Sequence, residues 1–65
     1  MVKLKDLKKG DYFTKKEIDS PKESQVFMRG DYCREAKKYF IYRFDDVNHD
    51  SLMSGDKLVN IDFYF

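Results

Sequence analysis

Sixty-five residues with a formal net charge of +1 make one domain at most, spanning 1–65, and so short a chain buries only about 60% of its unfolded surface. Cys33 is the only cysteine and His49 the only histidine, so an internal disulfide and the usual four-ligand zinc site are excluded. Six Phe and five Tyr remain to build a core, each able to bury ~150–250 Å², with oligomerisation as the other route to stability.

Each glycine precedes an aspartate, at Gly10-Asp11, Gly30-Asp31 and Gly55-Asp56, a pairing that punctuates turns because Gly reaches φ > 0 and Asp bonds its own backbone. Leu4 and Leu7, ahead of Gly10, predict a short helical turn packing two leucines over one end of a core. Tyr12 to about Lys16 reads as extended. Ser20-Pro21-Lys22-Glu23 has the form of a capping box with Pro at the first helical position, but no helical apolar period follows. A loop holding one turn is expected there.

Gln25–Cys33 and Lys38–Phe44 read as a β-hairpin closed by Arg34-Glu35-Ala36-Lys37, with Gly30 marking a bulge. Phe40, Tyr42 and Phe44 then share one face of the return strand, and Tyr39, Ile41 and Arg43 the other. Asp45 to Ser54 is expected to be a short helix or irregular loop capped by Asp46, with Val47 and Leu52 facing inward and Gly55 ending it. Lys57 to Phe65 alternates cleanly, which predicts a strand with Val59, Ile61, Phe63 and Phe65 on one face and Asn60 and Asp62 on the other. The expected fold is mainly β: a single small barrel, or a strongly curled antiparallel sheet of four to five strands, around a Phe-rich interior with one short helix or helical turn.

No apolar run approaches the ~20 residues that span a bilayer, and the N-terminus has no signal-peptide pattern. With one cysteine and no glycosylation sequon, the expectation is a soluble cytoplasmic protein without a membrane partner. Charge is lopsided: residues 1–44 hold twelve of the thirteen Lys/Arg against seven acidic residues, a balance of +5, whereas residues 45–65 stand at −4. A solvated surface of mixed sign accounts for this, and so does a bipolar protein whose basic half meets an anionic partner.

Residues able to carry chemistry are few. Asp46, Asn48 and Asp50 match the first three ligand positions of a calcium loop, but Ser51 and Lys57 stand where the loop needs Gly and a bidentate Glu. Cys33 and His49 have no spacing that makes them a nucleophile–base pair. Arg29-Gly30-Asp31 spells an integrin-type tripeptide inside a predicted strand, where coincidence explains it. No phosphate-binding glycine loop is present. No catalytic residue, metal or cofactor is expected.

The candidate site is a basic–aromatic surface formed by Lys15, Lys16, Arg29, Tyr32, Arg34, Lys37, Lys38, Tyr39 and Arg43. Rings beside cations hold single-stranded nucleic acid, with stacking worth ~1–3 kcal/mol per base, although dedicated nucleic-acid binders are usually more basic overall.

Leu4-Lys5-Asp6-Leu7-Lys8-Lys9-Gly10-Asp11-Tyr12-Phe13, Val26-Phe27-Met28-Arg29 and Asp56-Lys57-Leu58-Val59-Asn60-Ile61-Asp62-Phe63 resemble a class of small proteins of bacteriophages and mobile elements, including those of gut Bacteroidetes. The Gly-Asp-x-hydrophobic entry is also similar to Src-homology-3-like and KOW-type barrels. That resemblance implies a five-stranded barrel that binds protein or nucleic acid and has no catalytic residues. The absence of Trp speaks against proline-rich ligands. Two functions follow as expectations. One is a nucleic-acid-binding module using the central hairpin. The other is a protein-binding adaptor or inhibitor acting on a host or phage protein, or a homo-oligomer paired through an edge strand.

Overall fold

In the computed structural model, which describes residues 1–64 and only the backbone at Val47 and His49, short strands alternate with turns. Val2–Lys3 (β1) runs into a 3₁₀ turn at Leu4–Asp6, then Tyr12–Thr14 (β2), a second 3₁₀ turn at Glu23–Gln25, Val26–Cys33 (β3), Lys38–Arg43 (β4), Asp46–Met53 (β5) and Leu58–Val59 (β6). Strands β2 to β5 form an antiparallel sheet in chain order, and β1 pairs with β6 as a separate two-stranded ribbon. The fold is mainly β, as expected, but no closed barrel forms, because β5 ends the sheet with β4 as its neighbour. Among the described residues, no helix is long and apolar enough to cross a membrane.

The ribbon and first turn cover one face of the sheet. Leu4, Leu7, Phe13, Ile41 and Val59 form the buried cluster, with Val2, Phe27, Tyr39 and Met53 packed against it. The two leucines therefore do what their spacing predicts, and the N–H groups of Leu4 and Lys5 donate to Lys57 O at 2.9 Å and Gly55 O at 3.0 Å. Among the described residues the expected Phe-rich interior is not found: Phe13 is the one Phe or Tyr in the core. With a single covering layer there is not enough depth to enclose more rings.

The hairpin is where the alternation placed it. Arg29 faces Ile41 and Tyr32 faces Tyr39, with the register slipping between Arg29 and Tyr32 at the bulge. Gly30 sits there for lack of space, since a Cβ would lie 2.5 Å from Tyr42 Cε2 and 3.0 Å from the Phe40 carbonyl oxygen. Of the three glycines, only Gly10 uses positive φ, at 94°.

Three expectations need correction. Asp45–Ser54 is neither helix nor irregular loop but mostly strand β5, and Leu52 is 42% exposed instead of inward. Asp46 Oδ1 does accept a backbone N–H, from Asn48 at 3.2 Å. That cap-like bond belongs to a bulge: the ladder jumps from Arg43↔Asp46 to Tyr42↔Asp50, leaving three residues unpaired and hiding the period of two. The inward placement expected for Val47 lies outside the described side chains.

At the C-terminus, the strand stops at Val59, Asn60 is buried and Ile61 is 45% exposed. The Asn60 side-chain oxygen accepts the Asp62 N–H at 3.2 Å, an Asx turn that diverts the chain and cancels the alternation beyond it. Phe65 lies outside the described residues. Lastly, the 3₁₀ turn after Pro21 is closed by Gln25 rather than by a Ser20–Glu23 box, with the Lys22 N–H donating to Gln25 Oε1 at 2.9 Å.

Gly30→Ala should cost about 1–3 kcal/mol, the range for overpacking a tight site. Urea unfolding of the variant should show a lower midpoint with an unchanged slope.

Candidate nucleic-acid interface

Register assigns the side chains to faces. Phe27 opposes Arg43, Arg29 opposes Ile41, and Tyr39 opposes both Tyr32 and Met53. Arg29, Tyr32, Tyr39 and Arg43 thus lie on the same face as the core, Tyr32 exposed and the other three partly buried, with Tyr39 packed against the core cluster. The Arg29 guanidinium carbon lies 4.2 Å from the Tyr39 ring centroid, and Tyr32 meets Tyr39 edge-on at 5.0 Å. Further along, Lys15 Nζ lies 4.6 Å from the Phe27 ring centroid, and Phe27 stacks on Phe13 at 5.8 Å. Cations and rings therefore alternate along β3.

The predicted residues do not form one patch. Arg29, Tyr32, Lys37 and Tyr39 gather at the hairpin tip, where Lys5, Ser54, Gly55 and Asp56 complete a groove of about 310 Å³. Lys15 and Lys16 border a second hollow with Ile18, Ser24, Gln25 and Phe27. Arg43 is held by Asp45, Nε to Oδ1 at 2.7 Å. Arg34 is exposed in the tip turn, and Lys38, opposite Cys33, projects from the other face in step with Phe40 and Tyr42. Whether Cys33 and His49 approach each other lies outside the described side chains.

The tip is strained. Lys37 adopts φ 56° and is the only non-Gly residue at positive φ among the described residues, a conformation that costs an L-residue about 1–2 kcal/mol. Arg29 Nε is buried without a hydrogen-bond partner. Its guanidinium is steadied by a ring instead of an acid, because the three described ion pairs are Lys5–Asp56, Lys9–Asp31 and Arg43–Asp45.

Sequence reasoning missed Lys5, Ser54, Gly55 and Asp56. The third Gly-Asp pair was visible, but nothing local shows that its turn docks on Tyr39; a Cβ at Gly55 would lie 2.8 Å from Tyr39 Cε2.

Sequence reasoning placed Phe40, Tyr42 and Phe44 on one face of β4 but did not extend that face across the sheet. Tyr12, Met28 and Tyr42 align across three strands there, with Phe40 opposite Leu52 in the next row. Tyr12 and Phe44 meet edge-on at 5.6 Å. Tyr12, Phe44 and Leu52 are exposed, and Asp50, opposite Tyr42 on β5, puts a carboxylate at the edge of this otherwise apolar surface.

Compared with protein-family models, curated proteins and solved structures, the chain matches none of them.

Arg29→Met keeps the packing on Tyr39 while removing a buried donor that has no acceptor. Leaving such a donor unsatisfied costs ~1–3 kcal/mol, against ~0.5–2 kcal/mol for the cation–ring contact. Thermal unfolding should therefore place the variant within about 1 kcal/mol of the parent, showing that Arg29 is not needed for folding.

Proposed function

We propose that this chain is a non-catalytic binding module that holds single-stranded nucleic acid at the exposed cations and ring edges of its core-side face. The observation that carries this reading is the alternation of Lys15 on Phe27 with Arg29 on Tyr39 and Tyr32. Rings accept bases by stacking whatever their sequence, and neighbouring cations track the phosphates. Arg29, Lys16 and Lys37 have no acidic partner among the described ion pairs, so their charge is not neutralised from within. A net charge of only +1 sets the expected affinity low and makes it dependent on a local field rather than on bulk basicity.

Anisotropy of a labelled oligonucleotide of ~12 nucleotides should rise on titration with the protein, and the affinity should fall with salt at a slope of about −0.7 per neutralised phosphate. Arg29→Met and Tyr32→Ala should each weaken binding several-fold. Binding that ignores salt, or is unaltered in both variants, removes this reading.

A second reading rests on the opposite face. A chain with six buried hydrophobic residues among those described gains most by burying its remaining rings against a second copy of itself. Face-to-face packing suits Tyr12, Phe40, Tyr42 and Leu52. Edge-to-edge pairing through β5 is disfavoured, because Asp46 and Asp50 would bring like charges to the pairing edge,. Light scattering should then give twice the 7.9 kDa chain mass, and Leu52→Asp, at an exposed position, should return the monomer without lowering stability. A monomeric parent at high concentration rules this reading out.

A further inference from the structure

The groove at the hairpin tip has features that a general phosphate-tracking strip does not require. Lys37 pays for its place with an unfavourable backbone conformation, φ 56°. Glycine would adopt the same conformation without that steric penalty. Strain retained at a surface turn points from the outlier to a use for the side chain. Here Lys37 lines the same hollow as Tyr32, Tyr39, Ser54, Gly55 and Asp56. At about 310 Å³, the hollow is at the lower end of the ~300–1,000 Å³ typical of small-ligand sites.

We infer that this groove is a nucleotide subsite selective for guanine: Tyr32 stacks on the base, Lys37 meets its phosphate, and the Asp56 carboxylate reads its Watson–Crick edge. The inference rests on the nucleic-acid reading above and names the base that one part of the strip prefers. Guanine is the base whose pairing edge offers two adjacent N–H donors, N1–H and the 2-amino group, and a carboxylate offers two acceptor oxygens at matching spacing. Adenine and cytosine present a ring-nitrogen acceptor beside their amino group, which a carboxylate repels. Thymine presents one N–H between two carbonyls.

Asp56 is held loosely enough to serve. Its partner is Lys5, at 3.3 Å, and the Asp56 side chain is 76% exposed, so the pair is weak and easily exchanged for a better-matched donor set. Tyr32 is 48% exposed, and its ring meets Tyr39 edge-on at 5.0 Å. Arg29 backs Tyr39 from within the sheet face and makes the two-ring platform rigid.

The test uses thymidine-tract oligonucleotides of ~12 nucleotides that differ only at one central base, titrated at low salt against the parent, Lys37→Gly and Asp56→Asn. The parent should bind the dG-containing strand roughly tenfold more tightly than the dA, dC or all-dT strands. Asp56→Asn should lose that preference, binding the dG-containing strand no more tightly than all-dT. Lys37→Gly should bind every strand several-fold more weakly, yet unfold at an equal or higher urea midpoint because the turn is relieved. That pairing of lost binding with retained or improved stability is one a merely structural lysine would not produce.

Guanosine monophosphate added as competitor separates the two sources of this chemistry. Displacement at matched nucleotide concentration assigns the groove to a free nucleotide, and displacement only by the strand assigns it to nucleic acid. Salt-sensitive binding with no base preference, or an unaltered affinity in Lys37→Gly, overturns the subsite and leaves the general reading standing. No binding of any strand overturns both.

Discussion

The fold depends on the junction of Thr14 and Asn60. It joins the β1–β6 ribbon to the four-stranded sheet through reciprocal backbone hydrogen bonds, each N–H donating to the other's carbonyl at 2.9 Å. Both side chains are buried, Thr14 at 0% and Asn60 at 3% exposure, and burying polar groups costs free energy unless they satisfy each other. They do so here. Asn60 Nδ2 donates to Thr14 Oγ1 at 3.1 Å, and the Thr14 hydroxyl donates to the Lys16 carbonyl. An apolar pair would bury more cheaply and keep the backbone bonds, but it would lose the side-chain hydrogen bond that reinforces their register,.

With that junction in place, the ribbon can lie over only one side of the sheet. The molecule measures 16 Å along its shortest axis, little more than the ~10 Å spacing of two packed layers plus their side chains. Such a shape has room for Phe13 inside and for few other rings. The remaining aromatics are distributed over two surfaces: a cation-lined strip on the core side and an apolar panel on the other. Aromatic side chains that find no core are the usual material of interfaces, since they contribute large contact area for few rotatable bonds. Both readings of function begin from this surplus.

Folding also redistributes charge. The basic first two-thirds and acidic last third of the chain meet at Lys5–Asp56, and Arg43 is offset by Asp45 across the β4–β5 turn. The acidic edge strand β5 runs beside β4, so the lopsided sequence becomes a molecule with a cation-rich hairpin tip and an acidic edge. Both exposed ion pairs and the edge charges contribute little to stability. Their effect is on which partners approach, and where.

Period-two alternation and Gly-Asp punctuation were enough to read the β class, the central hairpin with its bulge, the turn that carries Leu4 and Leu7, and the two faces of β4, because each is decided by neighbours within a few residues. Arg29, Tyr32, Lys37 and Tyr39 were legible as candidates for the same reason: they belong to one hairpin. Strand β5, the early end of the last strand, the open edge, and the docking of Gly55 and Asp56 against Tyr39 were decided by tertiary structure. A three-residue bulge and one Asx turn each break a periodic pattern at a single point, and a local pattern carries no record of which distant backbone will supply the missing hydrogen bonds.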